Sequence, residues 1–493
     1  MATRRQFIAG AAALGGAGLL VSPRLLRADE DEPRFLIVLA CFGGAQMIDG
    51  FMPIAHADAA FDANRGTVIS HDVTKVGNIW TVDRSVPVDF LSRYGHQSVV
   101  MGTQASSVNH FVAQARSVNG RDTHYGRTLP ETIAAAYGGD MPLPNVNMGR
   151  GGYTAAGADP TLDPRYAAEI VVNPVTFPLS THGHAGVIPT GDAPAQDPET
   201  RAALMDRARA LRDGPLESAS PFGRTFSSSR VRRDLLSQRA GSDLRLEGDD
   251  LIRQLLYVPD LGEILPLEAY GLDSNEEAWR IRDALPGAWP VTTNGTPDER
   301  LEAQAALAYL LIRTGTSCAV TLTEPGTDGF LAFDQSHTNH ASAQATHWDR
   351  VLEVAGRLIS LLETADYVRP DGEVDGTLWD RTLITFATEF GRDKWDTGGS
   401  FGTGHHLNNG LLMVSPMLAG DQSLGAPDPN NGFICGFDGD SGEPTPFSEL
   451  GPGEDPLFSD DRLPPGEEKV FGAICDVLGV TYDGQETLPI LKG

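Results

Sequence analysis

Residues 35–44 read FLIVLACFGG, an unbroken apolar run closed by two glycines. A strand with one face in water alternates apolar and polar side chains. A continuous run instead predicts a strand covered on both faces, followed here by a tight turn at Gly43 and Gly44. The next segments supply covering helices. VDFLSRYGHQSVVMGTQ (88–104) reads as a helix and then a strand at Ser98–Met101. TLPETIAAAYGG (128–139) has Pro130 at a helix start and a glycine pair at its stop.

Between about 190 and 300 the texture changes to Arg- and Asp-rich helical segments such as ETRAALMDRARALRDG and DDLIRQLLYVPDL, which read as an inserted helical subdomain. The alternation then returns. Thr296, Pro297 and Glu299 form a capping-box helix start, and LEAQAALAYLLIRTG stops at Gly315. CAVTLT (318–323) reads as a strand, about 345–365 as a helix and TLITFATEFG (382–391) as another strand. EKVFGAICDVLGV (468–480) is an amphipathic helix expected to pack on the sheet. Residues 33–493 are therefore expected to form one α/β domain, a mostly parallel sheet with helices on both faces. The Asp-, Gly- and Pro-rich stretch 421–468 is expected as an acidic surface loop. Within it Asp438, Asp440 and Glu449 have EF-hand spacing, but Gly442 and Glu443 stand where an Asp or Asn and a Gly belong. That stretch reads as a solvated acidic loop.

The 493 residues carry a formal charge of −28. Such a balance excludes nucleic acid and anionic lipid as partners, since both are bound through excess Lys and Arg. Cys41, Cys318, Cys435 and Cys475 are widely separated, with neither a disulfide framework nor a CxxC site, and read as buried small residues. At the N-terminus, TRRQFIAGAAALGGAGLLVSPRLLRA pairs Arg4 and Arg5 before a short apolar stretch rich in Gly and Ala, ending near Ala28. This is the pattern of a twin-arginine export signal over 1–28. It predicts folding in the cytoplasm, passage through the twin-arginine translocase and a periplasmic or extracellular destination. Retention as a membrane anchor is the alternative.

In open α/β sheets, ligands collect at the carboxyl ends of the strands. Three residue sets fall there. They are Cys41 through Asp49; Asp334, His337 and His340 in DGFLAFDQSHTNHASAQATHWD (328–349); and Glu389, Gly391, Arg392 and Asp393, followed by His405 and His406 in GGSFGTGHHLNN. Imidazole and carboxylate together suit a divalent ion such as Zn, Mn or Fe, with carboxylate favouring harder ions such as Ca. Asp334 and His337 are the leading ligand candidates. His340 reads equally as a ligand or as a cap of the following helix, and His347 as a packed residue on that helix. His405 and His406 point apart in any extended chain, so at most one is a direct ligand. His182 and His184 form an H-x-H that reads better as loop. Arg392 reads either as a bidentate holder of an anion or as a structural partner of Asp393 or Glu389.

RRQFIAG, FLIVLACFGGAQMIDGF, SSVNHFVAQARSVNG, AFDQSHTNH and TLITFATEFGR with a downstream GTGHH resemble the twin-arginine-exported domain-of-unknown-function family 1501. That family looks like a remote branch of the alkaline phosphatase and sulfatase superfamily. The resemblance covers most of the chain outside 190–300 and the acidic loop. It implies a sulfatase-like fold and one metal site built from Asp334, His337 and His405 or His406. The superfamily's second metal site is depleted. Cys41 or Phe42 stands at its first-strand position, and Glu389 followed by Phe390 replaces a later Asp-His pair, leaving Glu389 as the sole surviving ligand there. By the same resemblance Ser106 or Ser107, in GTQASSVNHF, is the candidate nucleophile opening a helix, although Ser is also a common helix cap. His110, Asp122 and His124 lie nearby with no assigned role.

These readings combine into an exported metal-binding hydrolase acting on small phosphate or sulfate esters. The alternative is a non-catalytic exported binding or scaffold protein that keeps the fold. Between the two lies a metal binder without hydrolysis.

Overall fold

The run at 35–41 forms strand β1 (Phe35–Cys41), and every residue in it is buried. Fully burying a Leu, Ile or Val side chain contributes roughly 1.5–3 kcal/mol, so this strand anchors the fold. The computed structural model describes residues 32–139, 141–171, 301–324, 332–369, 372–447 and 462–493, with isolated positions elsewhere. The signal segment, His182, His184, the capping box at Thr296 and nearly all of 190–300 lie outside the described residues.

Seven further strands complete the main sheet: β2 (Ser98–Gln104), β3 (Asn145–Asn147), β4 (Glu169–Ile170), β5 (Ala319–Thr323), β6 (Thr382–Thr388), β7 (Asn408–Val414) and β8 (Gln422–Leu424). Their spatial order is β8-β2-β7-β6-β1-β5-β3-β4. Both neighbours of β1 are parallel to it, with Leu36 beside Leu383 of β6 and beside Ala319 of β5. Strand β7 alone runs against its neighbours β6 and β2. The sheet is thus mixed and dominated by parallel pairs, in an α/β arrangement.

Six helices are described: α1 (Ser85–Tyr94), α2 (His110–Asn119), α3 (Leu129–Tyr137), α4 (Leu301–Arg313), α5 (His340–Thr364) and α6 (Glu467–Val477). Helices α1 and α4 pack on α5, while α2, α3 and α6 pack on one another. The two groups cover opposite faces, which is why the central strands need no polar alternation. Local chemistry places the helix starts. Thr128 and Glu131 close a capping box on α3, Asn109 caps α2 and Asn339 caps α5. With Asn339 as cap, α5 begins at His340, ahead of the start near 345 expected from the apolar periodicity. No helix among the described residues is long and apolar enough to cross a membrane.

The described part of the stretch 421–468 departs from expectation. Instead of staying at the surface, it adds strand β8 to the sheet edge beside β2. It also buries Phe433, Ile434 and Cys435. Composition pointed to a loop because the turns between these short buried pieces are rich in Gly and Asp. Asp438 Oδ1 closes one such turn, accepting from the backbone of Asp440 and Ser441.

Candidate metal centre

Three chain segments meet past the carboxyl ends of β1, β5 and β6. The first is the turn at Gly43, whose φ is +97° and where a Cβ would lie 2.2 Å from the Asp334 backbone nitrogen. Only glycine allows the Asp334 segment to approach so closely. The second is the short helical turn Ala332–His337, carrying Asp334 and His337. The third is a two-stranded ladder that sets Arg392 opposite His405 and Gly391 opposite His406. A fourth contributor comes from the far side of the sheet, since His110 opens α2.

His110, Asp334, His337 and His405 converge, each offering one ligand atom, with all four atoms within 4.8 Å of one another. Asp334 Oδ1 lies 3.3 Å from Nε2 of His337, 3.4 Å from Nε2 of His405 and 3.5 Å from Nε2 of His110. A tetrahedral ion with bonds of about 2.0–2.1 Å needs ligand atoms about 3.3–3.4 Å apart. The carboxylate-to-imidazole spacings fit that requirement. His405 Nδ1 sits 2.9 Å from the Val108 carbonyl, which only accepts, so Nε2 presents its lone pair. That lone pair is 2.8 Å from His337 Nε2. Two imidazole nitrogens this close need a proton or a cation between them.

The surroundings set the charge states. Asp334 is partly buried, which would raise its pKa, but its polar partners, the Arg392 guanidinium at 2.6 Å among them, hold it well below the usual carboxylate range. Burial and then the Arg392 charge lower the pKa of His337, favouring the neutral ring that a metal ligand requires. Burial opposes protonation of His110, yet its hydrogen bond and ion pair with Glu389 outweigh burial and raise its pKa. Glu389 is itself buried, and Oε1 also accepts from Gly43 N at 3.2 Å.

The expected residues therefore separate. Asp334, His337 and His405 come together. His406 does not: the pleat turns it the other way, against the Phe433 ring, where its Nδ1 accepts from Asn408 N. Burial and the Lys394 charge lower its pKa to about 3. Glu389 stands behind His110 as its hydrogen-bond partner and is not one of the converging groups. Arg392 is fully buried. Its Nη2 pairs with Asp334 Oδ1 at 2.6 Å and with the Gly43 carbonyl, and Nη1 reaches the Thr403 carbonyl at 3.2 Å. This ion pair with Asp334 replaces the expected pairing with Asp393 or Glu389, and it commits the guanidinium to the protein.

Ser106 and Ser107 are engaged locally. Ser106 Oγ accepts from Arg116 at 3.1 Å, Ser107 Oγ accepts from Asn109 N at 3.1 Å, and the cap of α2 is Asn109. His340 is fully buried between Thr403 and Asp49. His347 is packed beneath Glu324, as a structural histidine. Cys41 is buried, and burial followed by the nearby Glu324 and Glu389 charges pushes its thiol pKa well up, so no thiolate is available. All four cysteines are free and buried.

The converging residue that the sequence left unassigned is His110. Its one local signal is its position directly after the capping Asn109, at the start of a helix facing the strand ends. No protein-family model matches the chain, and no curated protein sequence matches it. The superfamily resemblance rests on the motifs alone.

Proposed function

We propose that this chain is an exported, metal-dependent hydrolase-like protein acting on small phosphate or sulfate esters. The observation that carries the reading is the convergence of three imidazole nitrogens and one carboxylate oxygen on a single point. The donor set favours Zn, Mn or Fe, because Ca takes about six to eight oxygen ligands. When bound, such an ion supplies Lewis-acid polarisation of an ester oxygen.

The chain's own groups prepare the point. Val108 and Glu389 orient the rings of His405 and His110 through their Nδ1 atoms. Arg392 keeps Asp334 ionised. The His337 side chain is 44% exposed and that of His110 31%, so a solute reaches the centre. Helix α2 starts at His110, and its N-terminal end, favourable to negative charge, borders the same point. Export is carried by the Arg4–Arg5 pattern.

A second reading has a specific observation behind it. Structural metal sites use four protein ligands, whereas catalytic ones keep a position open, and four protein groups converge here. On that reading the protein holds an ion without hydrolysing anything. Elemental analysis of the exported protein, beside Asp334→Ala, followed by a panel of phosphate and sulfate mono- and diesters, separates the two. About one divalent ion per chain, absent from Asp334→Ala, with chelator-sensitive ester hydrolysis, supports the hydrolase. Metal without hydrolysis supports the second reading. A wild type without metal, indistinguishable from the variant, sinks both.

A further inference from the structure

Behind the metal centre, on the face covered by α2, α3 and α6, a half-open pocket of about 50 Å³ lies between β1, β2, β6 and β7 and helix α6. Part of its wall is hydrocarbon, from residues such as Val118, Leu411, Val470 and Ile474. The rest is oxygen. Asn409 is 4% exposed, and its Nδ2 donates to the Thr388 carbonyl, but its Oδ1 has no hydrogen-bond partner. Thr385 Oγ1 and Gln104 Oε1 also line this cavity, buried without a partner.

Two carboxylates complete the wall. Glu389 Oε2 makes no hydrogen bond of normal geometry, while Oε1 is held by His110. Glu467 Oε2 likewise makes none, and the cation nearest it in the structure's ion pairs is Arg121, at 3.9 Å. The lining contains no Lys, Arg or His. Apart from the Thr385 hydroxyl, which can also donate, these unsatisfied atoms are acceptor oxygens, so a fitting occupant brings N–H or O–H donors. Glu389 already has His110 as its partner through Oε1, so the preference for positive charge comes from Glu467, which has no base in the wall and no cation nearer than Arg121. The hydrocarbon part favours an apolar body over a bare ion.

We propose that this cavity binds a small organic cation, a primary alkylammonium, with its N–H groups on the oxygens and its chain along Val470 and Ile474. The site shares Glu389 with the metal centre, but the inference stands whether or not the ester-hydrolase reading holds.

The test is isothermal titration calorimetry on the full chain, with and without added zinc, using butylammonium chloride. Parallel titrations use 1-butanol, sodium butyrate, potassium chloride and calcium chloride. The expected result is saturable one-site binding of butylammonium alone. Glu467→Gln, which keeps the oxygen that accepts from Ser106, should weaken it at least tenfold, and Val470→Phe, which fills the cavity, should abolish it. Thermal melts establish that each variant is folded, and Glu467→Gln suffices if Val470→Phe is not. Absence of saturable heat overturns the proposal, as does unchanged affinity in Glu467→Gln. Equal binding of butanol would show an apolar void only, and saturation by potassium or calcium alone would show an inorganic cation site; either result overturns it too.

Discussion

Oε1 of Glu389 lies 2.5 Å from Nδ1 of His110, a residue 279 positions away in the chain. The other nitrogen of the same ring faces Asp334. A carboxylate behind an imidazole fixes its tautomer and raises its basicity toward a metal, and losing such a partner costs about 10–100-fold in affinity. Glu389→Gln is expected to fold and to weaken zinc binding by that factor in a chelator-competition titration. Unchanged affinity would remove Glu389 from this role.

Adjacent histidines give a contrasting pair. His405→Gln removes a converging nitrogen and should weaken metal binding by more than the roughly 10–100-fold expected for an outer partner. His406→Gln should leave stoichiometry and affinity unchanged, because that ring packs on Phe433. Equal losses in the two variants would contradict the placement of His405.

Arg392 ties the centre to the scaffold. Its guanidinium is fully buried and neutralises Asp334. Arg392→Met leaves a carboxylate without its partner, and breaking a buried pair costs about 3–5 kcal/mol. Saturating zinc should recover part of this loss, since the ion supplies charge next to Asp334 and binds only the folded state. Denaturant unfolding with and without zinc measures both quantities. An identical loss in the two conditions would show that the guanidinium acts only as packing.

Acid should find a different weak point. The fully buried Asp49 takes hydrogen bonds from His340 at 2.9 Å, His71 at 3.0 Å and Gln46 at 2.9 Å. Burial would raise its pKa, but the two histidines outweigh burial and depress it far below the usual value. A folded pKa below the unfolded value of about 3.9 gives stability that is fully present above that pH and lost as pH falls toward the folded value. Asp49→Asn should lose about 1.5–3 kcal/mol at pH 7 and show a flatter stability curve below about pH 4. Urea midpoints across pH 3–7 decide it, and a constant offset between the two proteins at every pH would refute the assignment.

Much of this arrangement was legible before any coordinates. The run at 35–41 shows its two covered faces because burial on both sides removes polar alternation. Pro130 and the glycine pair at 138–139 announce α3 because helix starts and stops are signalled within one turn, and the structure adds the Thr128–Glu131 capping box. The opposed directions of His405 and His406 follow from the pleat of any strand, and Asp334 with His337 stood out as a short acidic and imidazole pair.

What lay beyond the sequence is what depends on distant partners. His110 joins the centre because α2 starts beside segments from β5 and β6, and no local pattern says where a helix start will land. Arg392 chooses Asp334 over the nearer Asp393 because the Gly43 turn admits the Asp334 segment to within contact of the ladder. The reversed β7, the edge strand β8 and the oxygen-lined cavity arise from long-range pairing in the same way. Periodicity and caps are local and written in neighbouring residues, whereas the meeting of loop ends is set by strand order and register across the whole sheet.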